Sequence, residues 1–279
     1  MIQLEQRIFA FDRLGDFLRN INPEDPTYDR LFETIKHAKS KNGWFSKEKV
    51  LHAFAAWGQL LNKKDLTQWL LPYSFDHTAP KTVGLVLAGN IPLVGFHDVL
   101  SVLLSGNKAL VKCSSSDPLL IAFLIQKLEE FEPRFTSFVE FTKERFTDFD
   151  AVIATGSNNA ARYFEYYFSK VPNLIRSNRN GVAILDGNET QEELQALASD
   201  IVQYFGLGCR STSKIFVPKD YDLNLIFGAL YPYASLMDSA KYANNYDYNK
   251  AVYLMSLFDL LDNGFFMLKE DASYTSPVA

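Results

Sequence analysis

Apolar residues over the first seventy positions recur at intervals of three and four: Leu4, Ile8, Phe11, Leu14 and Leu18, then Leu31, Ile35 and Ala38. That spacing lines one face of an α-helix, so the chain is expected to open with an all-helical segment. Ser46, followed by Glu48, has the chemistry of a helix start, and Val50, Phe54, Trp57 and Leu61 share a face behind it. The run Asn62, Lys63, Lys64 is expected to end this third helix. After Pro80 the pattern changes to short β-branched runs, each followed by turn residues and a longer amphipathic stretch. Strands are predicted at Thr82 to Leu87, Ala109 to Lys112, Ser137 to Phe141, Ala151 to Ala154, Val182 to Leu185 and Lys214 to Val217. Helices are predicted between them at Pro92 to Leu104, Pro118 to Glu130, Asn158 to Phe168 and Gln191 to Phe205. Such alternation implies an α/β fold, a parallel sheet covered on both faces, with ligands gathering beyond the carboxyl ends of the strands. From Asp222 helical spacing returns, with Leu223, Ile226 and Leu230, then Val252, Met255, Phe258 and Leu261, while Ala272 to Ala279 shows no closing element. No repeat and no Pro- or Gly-rich linker divides the chain, and the best boundary lies near Gly206 to Cys209. The expected domains are 1–79, helical; 80–205, cofactor-binding; and 206–279, catalytic.

A composition 47% hydrophobic and 22% charged excludes a disordered chain. A net charge of −5 supplies no general basic field for nucleic acid, so none is expected as a partner. Met1 to Asn20 is interrupted by Glu5, Arg7, Asp12, Arg13 and Asp16 and does not read as a signal peptide. The longest apolar candidate for a membrane span, Ile91 to Leu104, is broken by Pro92, Gly95, His97 and Asp98, and a cytoplasmic location is expected. Cys113 and Cys209 are too few for a disulfide framework or a cysteine-built zinc site, and His37, His52, His77 and His97 show no metal spacing, so no metal is expected.

Four places carry residues suited to chemistry. Gly89 and Asn90 follow a strand and precede Pro92; the Asn90 amide could donate to an oxyanion, or the pair could form a tight turn with Asn90 capping the helix. Lys112 ends a strand, where it suits a cofactor ribose or phosphate, or solvent, and Cys113 beside it fits a small half-buried residue. Gly156 and Ser157 follow a strand and open a helix, which suits a phosphate or ring carboxamide, or an ordinary N-cap at Ser157. Cys209 lies in Gly206, Leu207, Gly208, Cys209, Arg210, where the glycines leave a carbonyl room to approach the sulfur and Arg210 could lower the thiol pKa; a buried structural cysteine is the alternative. The aromatic run Tyr163, Phe164, Tyr166, Tyr167, Phe168 suits helix packing or an acyl channel.

Taken in chain order, these four places resemble the aldehyde dehydrogenase superfamily, and within it the acyl-CoA reductase branch of the LuxC type known from bacterial bioluminescence. The likeness covers roughly Lys81 to Pro218. It implies an aldehyde-dehydrogenase-like fold: a parallel Rossmann-like cofactor sheet, an N-terminal helical segment and a partial catalytic lobe. It also implies roles: Asn90 as oxyanion donor, Lys112 at the cofactor ribose, Gly156 with Ser157 as the nicotinamide-nucleotide turn, and Cys209 as the acylated nucleophile. Superfamily members that hydrolyse the acyl-enzyme carry a glutamate shortly before the strand matching Val182 to Leu185; here Ile175 to Gly181 holds no carboxylate. The expected reaction is therefore reduction of an acyl thioester, as fatty acyl-CoA, to the aldehyde with NADP or NAD as cofactor. An acyl carrier protein as donor and a homodimer are further expectations, and Arg176, Arg179 and Lys214 suit CoA phosphates or solvated surface charge. Family members continue past the point matching Ala279, so the last lobe is expected to be incomplete. Two other readings stand beside this one: acyl transfer at Cys209 without reduction, and a non-catalytic relative acting in binding or assembly.

Overall fold

The computed structural model describes residues 2–75 and 79–272; His77 and positions 273–279 lie outside the described residues. The chain divides into two compact units, Met1–Asn178 and Arg179–Ala279.

The first unit opens with α1 (Leu4–Arg19), α2 (Asp29–Lys41), α3 (Lys47–Leu60) and α4 (Lys63–Leu70). The periodic residues of α1 face inward, with Phe11, Leu14 and Leu18 at most 2% exposed. Each such side chain stabilises the fold by about 1.5–3 kcal/mol. Ser46 caps α3 by accepting the Lys49 N–H at 3.2 Å. Asn62, expected to end α3, instead starts α4, its Oδ1 accepting the Asp65 N–H at 2.9 Å. The helical segment, expected as a domain of its own, belongs to the first unit because α1 and α2 pack on the long helix α6 (Leu120–Phe131), for example through Phe17 and Phe123 with ring centroids 6.3 Å apart.

That unit also holds a parallel five-stranded sheet of order β3-β2-β1-β4-β5. Its strands are β1 (Thr82–Val86), β2 (Lys108–Lys112), β3 (Val139–Phe141), β4 (Ala151–Thr155) and β5 (Asn173–Arg176). Between them run α5 (Phe96–Leu104), the long helix α6 and α7 (Asn158–Tyr167). The chain winds from β1 toward β3 and then from β4 toward β5, and right-handed crossovers place α7 on the opposite face from α5 and α6. One expectation is corrected here, and one strand was not expected at all. The helix expected from Pro92 begins only at Phe96, because Leu93 has φ +60°, which a right-handed helix cannot include. The four-residue edge strand β5 had no apolar run to announce it, being Asn173, Leu174, Ile175, Arg176.

The second unit contains the parallel pair β6 (Gly181–Ile184) and β7 (Thr212–Phe216), with α8 (Gln191–Val202), α9 (Asn224–Leu230), α10 (Ala240–Met255) and the hairpin β8 (Leu260–Asp262) to β9 (Met267–Lys269). Its core gathers Ala198, Ile201, Val202, Ile226, Leu230 and Phe265. The break between units thus falls at Asn178, well before the expected 206, because β6 pairs with β7 and α8 packs on α9. A helix from Gln191 to Phe205 was expected; α8 stops at Val202, since Tyr204, Phe205 and Gly206 are left-handed. Phe258 and Leu261, expected on a helical face, fall outside α10: Leu257 has φ +58°, and Asp262, Asn263 and left-handed Gly264 turn the hairpin. Among the described residues no helix is long and apolar enough to cross a membrane.

Candidate active site

Three of the four candidate places meet at one edge of the first unit. Val86, the last residue of β1, is in register with Lys112 at the end of β2 and with Ala154 near the end of β4. Asn90 follows β1, and Gly156 follows β4, so Asn90, Lys112, Gly156 and Ser157 all leave the carboxyl ends of three adjacent strands. The winding direction reverses between β1 and β4, which is where open α/β sheets form a ligand crevice.

Each element of this edge is held in place. Asn90 is exposed, and it does not cap α5, whose N-cap is Gly95 without a side-chain bond. Its neighbour Gly89 is buried so tightly that a Cβ there would stand 2.6 Å from the Ser114 Cβ and 3.1 Å from the Asp117 nitrogen. Asn42, from the turn after α2, donates to the Gly89 carbonyl at 3.5 Å. Asp117, only 2% exposed, accepts the Leu93 N–H at 3.2 Å and the Leu120 N–H at 3.3 Å. Burial pushes its carboxyl up to about 6, against the pull of those two N–H donors. Cys113 sits beside it, and burial with the Asp117 charge pushes that thiol up to about 12. Cys113 therefore stays protonated at neutral pH and is no nucleophile.

Lys112 is half-buried, and its Nζ donates to the Glu144 carbonyl at 3.2 Å from the loop after β3. Ser157 caps α7, its Oγ accepting the Ala160 N–H at 3.2 Å. Gly156 donates its N–H to the Arg176 carbonyl at 3.1 Å, and a Cβ there would meet Ala160 at 2.9 Å. The Arg176 side chain is not a solvated charge: its Nη1 lies 2.7 and 2.8 Å from the two carboxylate oxygens of Asp98 on α5. Burial disfavours the Asp98 anion, but the His97 ring and Arg176 outweigh it and hold that carboxyl below the usual range. The donor set at this edge, a half-buried ammonium, a helix N-terminus and closely packed glycines, suits a phosphate-bearing dinucleotide.

The second unit carries Cys209, which is exposed, so the buried structural alternative does not hold. It stands in a turn closed by the Ser211 N–H on the Gly208 carbonyl at 3.0 Å. Just before it, Tyr204, Phe205 and Gly206 have φ of +52°, +59° and +74°. For the two aromatic residues this conformation stores about 1–3 kcal/mol each, and such strain concentrates at functional sites. Lys214 donates to the Asp271 carbonyl and lies over the Phe216 ring, which removes it from the solvated charges too. Of the aromatic run, Phe164 and Phe168 do pack, with ring centroids 6.1 Å apart and Phe168 6.2 Å from Phe146, whereas Tyr163, Tyr166 and Tyr167 are exposed on α7. Among the described residues no three His, Cys, Asp or Glu side chains are grouped to hold a metal. Asp98 and Asp117 were not singled out in the sequence; only the Asp-Pro start of a helix marks Asp117.

Comparison with known proteins fits this geometry. Residues 23–226 match the family model described as acyl-CoA reductase (LuxC). A long-chain acyl-protein thioester reductase of Vibrio harveyi is 26% identical over 150 residues, which is 48% of this chain and 31% of that protein. Among solved structures, an indole-3-acetaldehyde dehydrogenase of P. syringae in complex with NAD+ and IAA aligns over 94% of this chain and 59% of its own, with TM-score 0.64 and 16% identity. A NAD-dependent benzaldehyde dehydrogenase of Corynebacterium glutamicum aligns over 81% and 54%, with TM-score 0.62 and 16% identity. The chain thus spans somewhat over half the length of these aldehyde dehydrogenases and about a third of the curated relative. At such identities the solved structures establish the fold, which is that of the aldehyde dehydrogenases. Since the family model spans well over half of its residues, the chain belongs to the acyl-CoA reductase (LuxC) family.

Proposed function

We propose that the chain reduces an acyl thioester, with fatty acyl-CoA as the expected form, to the aldehyde through an acyl-cysteine intermediate. The observation that carries this reading is the convergence of Asn90, Lys112 and Gly156 on three adjacent strand ends where the sheet reverses its winding. In this reading Lys112 holds a ribose hydroxyl of NADP or NAD, and the Gly156–Ser157 turn receives the nicotinamide side with the N-terminus of α7. When bound, that cofactor supplies the hydride that reduces the acyl carbon. Cys209 provides the sulfur: its thiolate forms a bond to the substrate carbonyl carbon, and the bond to the departing thiol breaks. Asn90 donates its amide to the oxyanion on that carbon, and collapse of the reduced adduct breaks the carbon–sulfur bond, frees the aldehyde and restores the thiolate. The stretch Ile175 to Gly181 offers no carboxylate to activate water, so the acyl-cysteine persists rather than hydrolysing. The acyl-protein thioester reductase of V. harveyi supports acyl reduction, and an acyl carrier protein is the second donor class.

Incubation with labelled long-chain acyl-CoA followed by intact mass tests the covalent step. One acyl group is expected on the wild type and none on Cys209→Ala; label that persists in the variant refutes the assignment. Loss of NADPH absorbance with aldehyde formation is expected to follow. Acylation without NADPH oxidation would instead identify a transferase, and NADPH binding without acylation a binding protein.

A further inference from the structure

We propose that Asp117 is a positioning residue, whose carboxylate ties the loop bearing Asn90 to the loop leaving β2 and so fixes the Asn90 amide at the sheet edge. The inference rests on the reading of Asn90 as oxyanion donor. Its first support is an excess of carboxylate. Capping the first turn of α6 requires one acceptor, and Oδ1 supplies it to the Leu120 N–H at 3.3 Å. Serine or threonine would serve that end comparably without burying a charge. The second oxygen reaches 24 positions back in the chain, to the Leu93 N–H at 3.2 Å.

The second support is what it reaches. Leu93 is 1% exposed with φ +60°, a conformation that costs an L-residue about 1–2 kcal/mol and persists only where its surroundings over-determine it. Leu93 lies three residues after Asn90 in the same loop. The amino-terminal side of that loop is fixed by Asn42 on the Gly89 carbonyl and by the packing of Gly89 against Ser114. Asp117 fixes the carboxyl-terminal side, so Asn90 stands between two anchors. Desolvation opposes an ionised carboxyl at this depth, so a charge retained there for capping alone would be a net loss.

Asp117→Ser separates the two roles, since serine keeps the helix cap but is too short to reach Leu93; Asp117→Asn is the second variant, preserving size while removing the charge. Amide hydrogen exchange at Leu93 and steady-state reduction of acyl-CoA by NADPH are measured on wild type, Asp117→Ser, Asp117→Asn, Asn90→Ala and the double variant Asn90→Ala with Asp117→Ser. Expected are roughly tenfold faster Leu93 exchange in Asp117→Ser and a kcat lowered about 10- to 100-fold with KM for NADPH held, since a misplaced donor loses much of its effect. The double variant is expected to match Asn90→Ala alone, because the tie acts through Asn90. Losses that multiply in the double variant, or unchanged Leu93 exchange in both Asp117 variants, overturn the inference. A wild type that neither acylates nor reduces fails the functional reading by itself, and Leu93 exchange then decides whether the tie exists.

Discussion

Replacing Arg176 with methionine removes the guanidinium from a buried carboxylate and leaves it only the His97 ring at 3.9 Å. Asp98 is 5% exposed, and the Arg176 guanidinium holds both its oxygens at 2.7 and 2.8 Å. Breaking a buried pair from one side costs about 3–5 kcal/mol, and because the Arg176 side chain keeps 29% exposure the lower end applies, about 3 kcal/mol. For a unit the size of Met1–Asn178, that is a fall in melting temperature of roughly 6–12 °C. The sign with pH follows from the direction of the shift. In the wild type the Asp98 carboxyl lies below the ordinary 3.8, so its contribution is present above that pH and is lost only as pH falls through the lower value. Without Arg176 the carboxyl rises from that lowered position, with burial opposed by the His97 ring alone, so the gap between the two proteins is widest at neutral pH and narrows as pH falls into the carboxylate range. Urea unfolding across that range measures it. Asp98→Asn combined with Arg176→Met is expected to recover more than about 1 kcal/mol, since the stranded charge is gone. A single variant within about 0.5 kcal/mol of wild type, or a double variant no more stable than the single one, would refute the reasoning.

Asn90→Ala is expected to lower turnover about 100- to 1000-fold while leaving acylation of Cys209 detectable by mass, whereas Cys209→Ala forms no adduct. Protonation of Asp117, raised to about 6 from an ordinary 3.8, favours the folded state below that value, so this group makes stability decline from about pH 4 to pH 6 by roughly 3 kcal/mol; Asp117→Asn is expected to flatten that slope in pH-dependent unfolding. Leu257 is 90% exposed with φ +58°, so Leu257→Gly relieves strain without losing packing and is expected to raise the second unit's stability by about 1 kcal/mol in thermal melts. Gly89→Ala drives a methyl to 2.6 Å from Ser114 and is expected to lower both the melting temperature and turnover.

What the chain discloses in its own order depends on whether a residue's role is set by its neighbours in sequence or by residues brought from afar. Phe11, Leu14 and Leu18 announce α1 because a helix converts burial into a period, and the β-branched runs of β1, β2 and β4 announce strands because both faces of a parallel sheet are covered. Asn90, Lys112 and Gly156 are legible on the same ground: Lys112 ends such a run, Gly156 directly follows one and Asn90 lies in the loop leaving one, and a strand's carboxyl end is where a polar residue can meet a ligand. β5 and the β8–β9 hairpin lack that signal, being short and partly exposed, although the Asp262, Asn263, Gly264 turn was a readable stop. Asp117 and Arg176 are opaque for a different reason. Their partners, Leu93 and Asp98, lie 24 and 78 positions away, and only the folded sheet brings them within hydrogen-bond reach. A local pattern therefore locates the residues that face a ligand, while those that hold them in place depend on topology. It follows that Arg176 and Asp98 should tolerate substitution together better than singly, whereas Asp117, whose partner at 93 is a main-chain N–H that any residue but proline keeps, should show no such coupling to the side chain at 93; paired variants at 176 and 98, and Asp117→Asn with Leu93→Ala, test the contrast.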